Sequence, residues 1–125
     1  MIILFDTYAW IEYFRGSSKG KKVQNYLKSD EILTPTIVLA ELSCKAAKEN
    51  WDIAKYLEFI KSKSLIITLT EEIIINTGNL CCETRKQKPH FSLPDATILT
   101  TPIDGNSKIL RGDKYFKGLR EVEFL

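Results

Sequence analysis

Hydrophobic residues fall in short blocks along this chain, and two kinds of block alternate. Ile2-Ile3-Leu4-Phe5 is a continuous apolar run, the pattern of a strand buried on both faces of a parallel sheet. Glu31-Ile32-Leu33, stopped by Pro35, reads as a second short strand, and the isoleucine-rich stretch Leu65 to Leu69 as a buried third. Lys108-Ile109-Leu110 and Glu121-Val122-Glu123-Phe124 are short terminal strands. Between the strands the apolar positions recur at helical spacing. Thr7 can cap a helix that carries Trp10, Ile11 and Phe14 and ends near Gly16. A loop over 16–20 leads into a short helix through Val23, Tyr26 and Leu27. Thr36 starts a helix running to about Asn50, and another spans roughly 52–61 with Ile53, Leu57 and Ile60 on one face. Over 71–86 a stripe of Ile73, Thr77, Leu80 and Thr84, with Ile74 and Cys81 beside it, predicts a helix. Gly78 inside it costs about 1 kcal/mol relative to alanine, which points to close packing there. Lys88 to Leu93 is a connector, and Pro94 opens a helix to about Thr101 from an allowed first-turn position.

Strands alternating with helices predict an α/β fold with a mainly parallel central sheet. The 125 residues are expected to form one domain, 1–125, without repeat, linker or low-complexity segment. The hydrophobic fraction of 44% and the charged fraction of 27% are those of an ordinary soluble protein. No apolar run approaches the ~20 residues of a membrane span, and the N-terminus has no basic leader ahead of its first strand. Cys44, Cys81 and Cys82 are odd in number and two are adjacent, which argues against a disulfide framework and for a reducing cytoplasm. With His90 the only histidine and no Cys-x-x-Cys, a zinc site is not expected. A net charge of +2 is too small to argue for a nucleic-acid partner. The local clusters Lys19-Gly20-Lys21-Lys22 and Arg85-Lys86-Gln87-Lys88 read as solvated surface.

Four acids stand where charge is unexpected: Asp6, Glu41, Asp95 and Asp113. Asp6 ends the first apolar run and Asp113 follows Gly112 just past a strand, and in open α/β sheets ligands bind outside the carboxyl ends of strands. If the fold gathers all four, they form a carboxylate cup for a hard cation such as Mg²⁺ or Mn²⁺. Each has a bland alternative. Asp6 is a natural N-cap, a role Thr7 could share. Glu41, the only charge within Thr36 to Cys44, could be exposed and weakly paired with Lys45. Ser92-Leu93-Pro94-Asp95 resembles a capping box with aspartate in place of glutamate. Arg111-Gly112-Asp113-Lys114 has ordinary turn composition. The joint arrangement is the stronger signal. Of the aromatics at helical spacing, Tyr8, Trp10, Tyr13 and Phe14, most belong to the core, while Tyr8 or Tyr13 could face a substrate or partner.

The chain resembles a PIN domain, specifically the small VapC-type toxins of toxin–antitoxin pairs. The likeness rests on Ile3-Leu4-Phe5-Asp6-Thr7, on Thr36-Ile37-Val38-Leu39-Ala40-Glu41-Leu42, on Leu93-Pro94-Asp95-Ala96-Thr97-Ile98-Leu99, and on the closing stretch from Ile109 to Leu119 that holds Asp113. It covers nearly the whole chain. The resemblance implies a three-layer α/β/α PIN fold and a metal-dependent ribonuclease. It carries over Asp6, Glu41, Asp95 and Asp113 as the acidic quartet, with Thr7 as an auxiliary polar group. It also implies a homodimer and a small antitoxin partner. Two departures stand out: Thr97, Thr100, Thr101 and Pro102 replace an alanine-rich helix, and Arg111-Gly112 lacks the hydroxyl often found before the fourth acid. On this reading one or two Mg²⁺ or Mn²⁺ ions bind the quartet, with Asp6 and Asp95 as direct ligands and Glu41 and Asp113 acting directly or through water. Lys19, Lys21 and Lys22, or Lys45 and Lys48, would steer RNA phosphates toward the cup. The competing readings are a receiver-like signalling domain, a PIN-like nuclease outside a toxin pair and a non-catalytic PIN-like binding module. The receiver reading is weakened because Leu65 to Thr70 ends without an aspartate.

Overall fold

The computed structural model of the protein describes residues 2–101, 108–111 and 122–124. Five strands are present: β1 (Ile2–Phe5), β2 (Glu31–Pro35), β3 (Leu65–Ile67), β4 (Lys108–Arg111) and β5 (Val122–Phe124). Six helices join them: α1 (Thr7–Arg15), α2 (Ser18–Ser29), α3 (Thr36–Glu49), α4 (Ile53–Lys63), α5 (Glu71–Arg85) and α6 (Leu93–Thr100). The strands form one sheet in the order β3-β2-β1-β4-β5, and every described pairing is parallel. Leu4 lies beside Leu33 on one side, and Phe5 beside Leu110 on the other.

This order explains the layering. The chain steps outward from β1 to β2 to β3, then crosses back to β4 on the far side of β1. Right-handed crossovers send connections of opposite sense to opposite faces, so helices cover the sheet on both sides. β1 is central and its Ile3, Leu4 and Phe5 are fully buried, as its unbroken apolar run requires. α1 packs on α2, and its Trp10, Tyr13 and Phe14 meet Tyr56 and Phe59 of α4 in a cluster of ring contacts. A smaller core of Cys81, Phe91 and Ala96 joins α5 to α6. The indole of the buried Trp10 donates to Thr34 Oγ1 at 3.1 Å, and the hydroxyls of Thr34 and Ser64 lie 2.9 Å apart.

Several helix ends follow local chemistry. Gly16 and Asn50 close α1 and α3 in the left-handed conformation, at φ 66° and 60°. The cap of α1 is Asp6 rather than Thr7: its Oδ1 accepts from the amide of Ala9 at 2.8 Å. The expected loop over 16–20 is shorter, because the Ser17 hydroxyl accepts from the Gly20 amide at 3.0 Å and starts α2 at Ser18. The third strand stops at Ile67 and is not buried. It is the sheet edge, paired only with β2, and Leu65 is 58% exposed. Gly78 is exposed, and a methyl group there would touch nothing, so the expectation of close packing fails.

A different glycine is the packed one. A Cβ on Gly20 would fall onto the Glu12 carbonyl oxygen, and would also lie 2.9 Å from that carbonyl carbon and 3.1 Å from Tyr13 Cα. α2 therefore rests directly on the backbone of α1. The buried Glu12 carboxylate fastens the same crossing by accepting from the Ser17 hydroxyl at 2.5 Å. All three cysteines are free; Cys81 is buried while Cys44 and Cys82 are exposed. No helix among the described residues is long and apolar enough to cross a membrane.

Candidate active site

The connections leaving β1 and entering β4 run to opposite sides, so the crevice beyond the carboxyl ends of these neighbours is the topological switch point, where open α/β sheets bind ligands. Asp6 is the first residue past β1 and is only 1% exposed. Burying a carboxylate is costly unless it is hydrogen-bonded or paired, and the α1 cap supplies one such bond. A cap occupies one acceptor position of a group that has about four.

Thr7 is the first residue of α1, and its Oγ1 donates to Glu41 Oε1 at 2.7 Å. The bond spans 34 residues and draws α3 to the start of α1. It also bears on the exposed, Lys45-paired reading of Glu41. The pairing with Lys45 is not what forms: Lys45 binds Glu49 at 3.1 Å and lies over the Trp51 ring. Glu41 is half-buried and turned toward the end of β1 by a hydroxyl donor.

Asp95 sits in the first turn of α6, half-buried. The capping box read from the sequence is formed in both directions. Ser92 Oγ accepts from the Asp95 amide at 3.1 Å, and Asp95 Oδ2 accepts from the Ser92 amide at 3.4 Å. α6 packs against α3, so the elements carrying Glu41 and Asp95 are in contact. Asp113 lies outside the described residues; in sequence it follows the last residue of β4 by two positions. Among the described residues no group of three or more histidines, cysteines, aspartates and glutamates is close enough to hold a metal ion. Thr7 and Glu41, which meet, and Asp6, one residue before Thr7, offer hard oxygens, the donor type preferred by Mg²⁺ and Mn²⁺ over softer metals.

The fold agrees with a comparison across families. A family model described as the PIN domain matches residues 3–122. The chain belongs to the PIN-domain family. Its three-layer α/β/α architecture is the PIN fold, and the family is one of nucleases. Three solved structures have a similar fold. One is VapBC2 from Rickettsia felis bound to a promoter DNA fragment, with 20% identity and a TM-score of 0.73, covering 100% of this chain and 98% of that one. Another is a complex from Klebsiella pneumoniae, with 23% identity and a TM-score of 0.70, covering 97% and 95%. The third is VapBC-1 from nontypeable Haemophilus influenzae, with 20% identity and a TM-score of 0.69, covering 100% and 97%. Among curated proteins no match to the chain is found.

The lysines fall into separate groups around this PIN-domain site. Lys45 is committed to Glu49 and Trp51, while Lys21, Lys22 and Lys48 are exposed. Lys19 is exposed and its Nζ donates to Tyr8 Oη at 3.1 Å. Sequence reading named Lys19 and Tyr8 separately and missed their contact, since a separation of 11 residues across two helices carries no periodic signal.

The Thr7–Glu41 bond gives a direct test. Thr7→Val keeps the side chain's shape and removes the donor, whereas Thr7→Ser keeps the donor. Groups that orient a metal ligand typically contribute 10- to 100-fold. If Glu41 holds a metal ion for RNA cleavage, the rate with Thr7→Val is expected to fall about tenfold or more, and with Thr7→Ser to stay close to the parent. Initial rates on one RNA substrate at saturating metal check this.

Proposed function

We propose that this PIN-domain protein is a divalent-metal-dependent endoribonuclease that hydrolyses RNA phosphodiester bonds, and that it is the toxin of a type II toxin–antitoxin pair, cytoplasmic and homodimeric. The observation that carries the reading is the buried Asp6 at the β1–β4 switch point, with Glu41 drawn to the same place by Thr7. Asp6, Glu41, Asp95 and Asp113 would hold Mg²⁺ or Mn²⁺. When bound, such an ion lowers the pKa of a coordinated water and neutralises charge on the phosphate. The chain's own residues set the geometry. The Ala9 amide fixes Asp6 Oδ1, the Thr7 hydroxyl fixes Glu41 Oε1, and Ser92 fixes Asp95 Oδ2, so each carboxylate is oriented before any substrate arrives.

The toxin assignment is supported by the like fold of a toxin–antitoxin complex from Klebsiella pneumoniae and of two VapBC structures. Two adjoining cavities between α1, α2 and α4, of about 370 and 300 Å³, offer a small antitoxin a surface. Tyr13 and Gln24 line both, Phe14 and Phe59 add aromatic area, and Lys21, Lys28 and Lys63 favour an acidic partner segment.

A second reading, a non-catalytic PIN-like binding module, draws on the capping roles of Asp6 and Asp95, which give both residues a structural task. Incubation with a panel of RNAs, with Mg²⁺, with Mn²⁺ and after chelation with EDTA, separates the two. Cleavage that needs the ion and stops with EDTA is the expected result. RNA binding without cleavage under every metal condition would leave only the binding module. Co-expression with a short reading frame lying next to this one tests the toxin role: growth arrest should be relieved, and a cleaving enzyme with no such relief would be a PIN-like nuclease outside a toxin pair.

A further inference from the structure

Lys19 differs from the paired cations of the protein. Lys45 binds Glu49, Lys86 binds Glu83 and Arg15 lies near Glu12. Lys19 instead meets a phenol: its Nζ is 3.1 Å from Tyr8 Oη and 5.4 Å from the ring centroid. The contact is built by the α1–α2 crossing. Because Gly20 lies directly on the Glu12 carbonyl, the preceding residue in the first turn of α2 is delivered to the first turn of α1.

Tyr8 follows Thr7, whose hydroxyl holds Glu41, and comes two residues after Asp6. Glu12 is the carboxylate whose charge acts on Lys19, and a lysine on a flexible stem can fold onto such a group. Here Tyr8 takes one of the three ammonium donors and offers its ring to the cation, and among the described residues Lys19 forms no ion pair. Fastening α2 to α1 does not require this contact, since Gly20 packing and the Glu12–Ser17 bond already do so.

We infer that Tyr8 and Lys19 form a phosphate-anchoring subsite for single-stranded RNA, in which Lys19 binds a backbone phosphate flanking the cleaved one and Tyr8 is the positioning residue that holds the ammonium in place. This rests on the ribonuclease reading above. The charge needed is secure at physiological pH. The hydrogen bond to Tyr8 holds the Lys19 ammonium above its ordinary pKa of 10.5. With the folded value raised, the contact is fully present below pH 10.5 and fades only as pH rises through the higher value.

The test is binding of a fluorescein-labelled single-stranded RNA oligonucleotide in EDTA, read by anisotropy over a range of salt, so that catalysis plays no part. One phosphate contact contributes about 0.7 to the slope of log affinity against log salt for a single strand. Lys19→Gln should flatten the slope by about that amount and weaken binding roughly fivefold at low salt, the worth of one close charge pair in water. Lys19→Arg should keep the slope. Tyr8→Phe, which keeps the ring and removes the oxygen, should fall between. In cleavage assays Lys19→Gln should raise KM and leave kcat near the parent value. Unfolding midpoints close to the parent's would assign these changes to the subsite. If the parent binds RNA and Lys19→Gln matches it in slope and affinity, the subsite is wrong while the ribonuclease reading stands. If the parent binds no RNA in EDTA, the subsite is wrong, and the metal-dependent cleavage test above still decides the ribonuclease reading.

Discussion

Asp6→Asn is expected to leave the protein folded and to remove metal-dependent RNA cleavage. Asparagine is as good an N-cap as aspartate, and it retains an oxygen to accept from the Ala9 amide, the bond that starts α1. What it loses is the negative charge and one of two hard oxygens. Disturbing a residue that merely orients a metal ligand already costs 10- to 100-fold, so loss of a ligand carboxylate should lower the rate at least about a hundredfold. Asp6→Ala supplies the contrast. It should be equally inactive and also less stable by about 1 kcal/mol, the usual cost of deleting a cap. Asp95→Asn should behave like Asp6→Asn, since its amide oxygen can still accept from Ser92. Initial rates in Mg²⁺ and Mn²⁺, read with urea midpoints, decide the matter. Full activity in both asparagine variants would remove the acids from the catalytic role.

The largest expected loss of stability is at Gly20. Alanine there places a methyl group on the Glu12 carbonyl, with the Tyr13 Cα 3.1 Å away. These are backbone atoms of a buried helix and cannot swing aside as the end of a side chain can. The crossing must open, which loosens the Glu12–Ser17 bond and the Ser17 cap together. Overpacking a tight site typically costs 1–3 kcal/mol, and a rigid backbone neighbour puts Gly20→Ala near about 3 kcal/mol. Gly78→Ala is the control. It meets nothing in space and should gain up to about 1 kcal/mol from helix propensity. Urea unfolding of the two variants should move the midpoint in opposite directions, and an unchanged midpoint for Gly20→Ala would overturn the crossing as drawn.

These two glycines show where sequence reading succeeds and where it stops. The parallel α/β fold was legible because β1 is an unbroken apolar run and because helical and extended blocks alternate. Helix ends were legible where one residue type suits one backbone conformation, as at Gly16 and Asn50. The capping box of Asp95 was legible because it is local. Gly20 was read as part of a loop and Gly78 as a packing contact. The reverse holds, because what a missing side chain makes room for belongs to a neighbouring element that spacing cannot locate. Leu65 to Leu69 looked buried since composition does not reveal which strand ends up at the sheet edge. At the site, the type and order of the acids could be read, but the reason Glu41 is neither exposed nor paired with Lys45 lies 34 residues away in a threonine hydroxyl.

The three thiols open a further use. Cys81 is sealed inside, while Cys44 and Cys82 reach the surface on different helices. Cys44 comes three residues after Glu41 on α3, and side chains at that spacing are neighbours, with Cβ atoms about 5–6 Å apart. A nitroxide attached to the native Cys44 would therefore stand beside Glu41 as a paramagnetic gauge. If Mn²⁺ binds at Glu41 as proposed, its arrival would broaden that signal, so the metal proposal could be tested spectroscopically with no RNA present and no cysteine introduced.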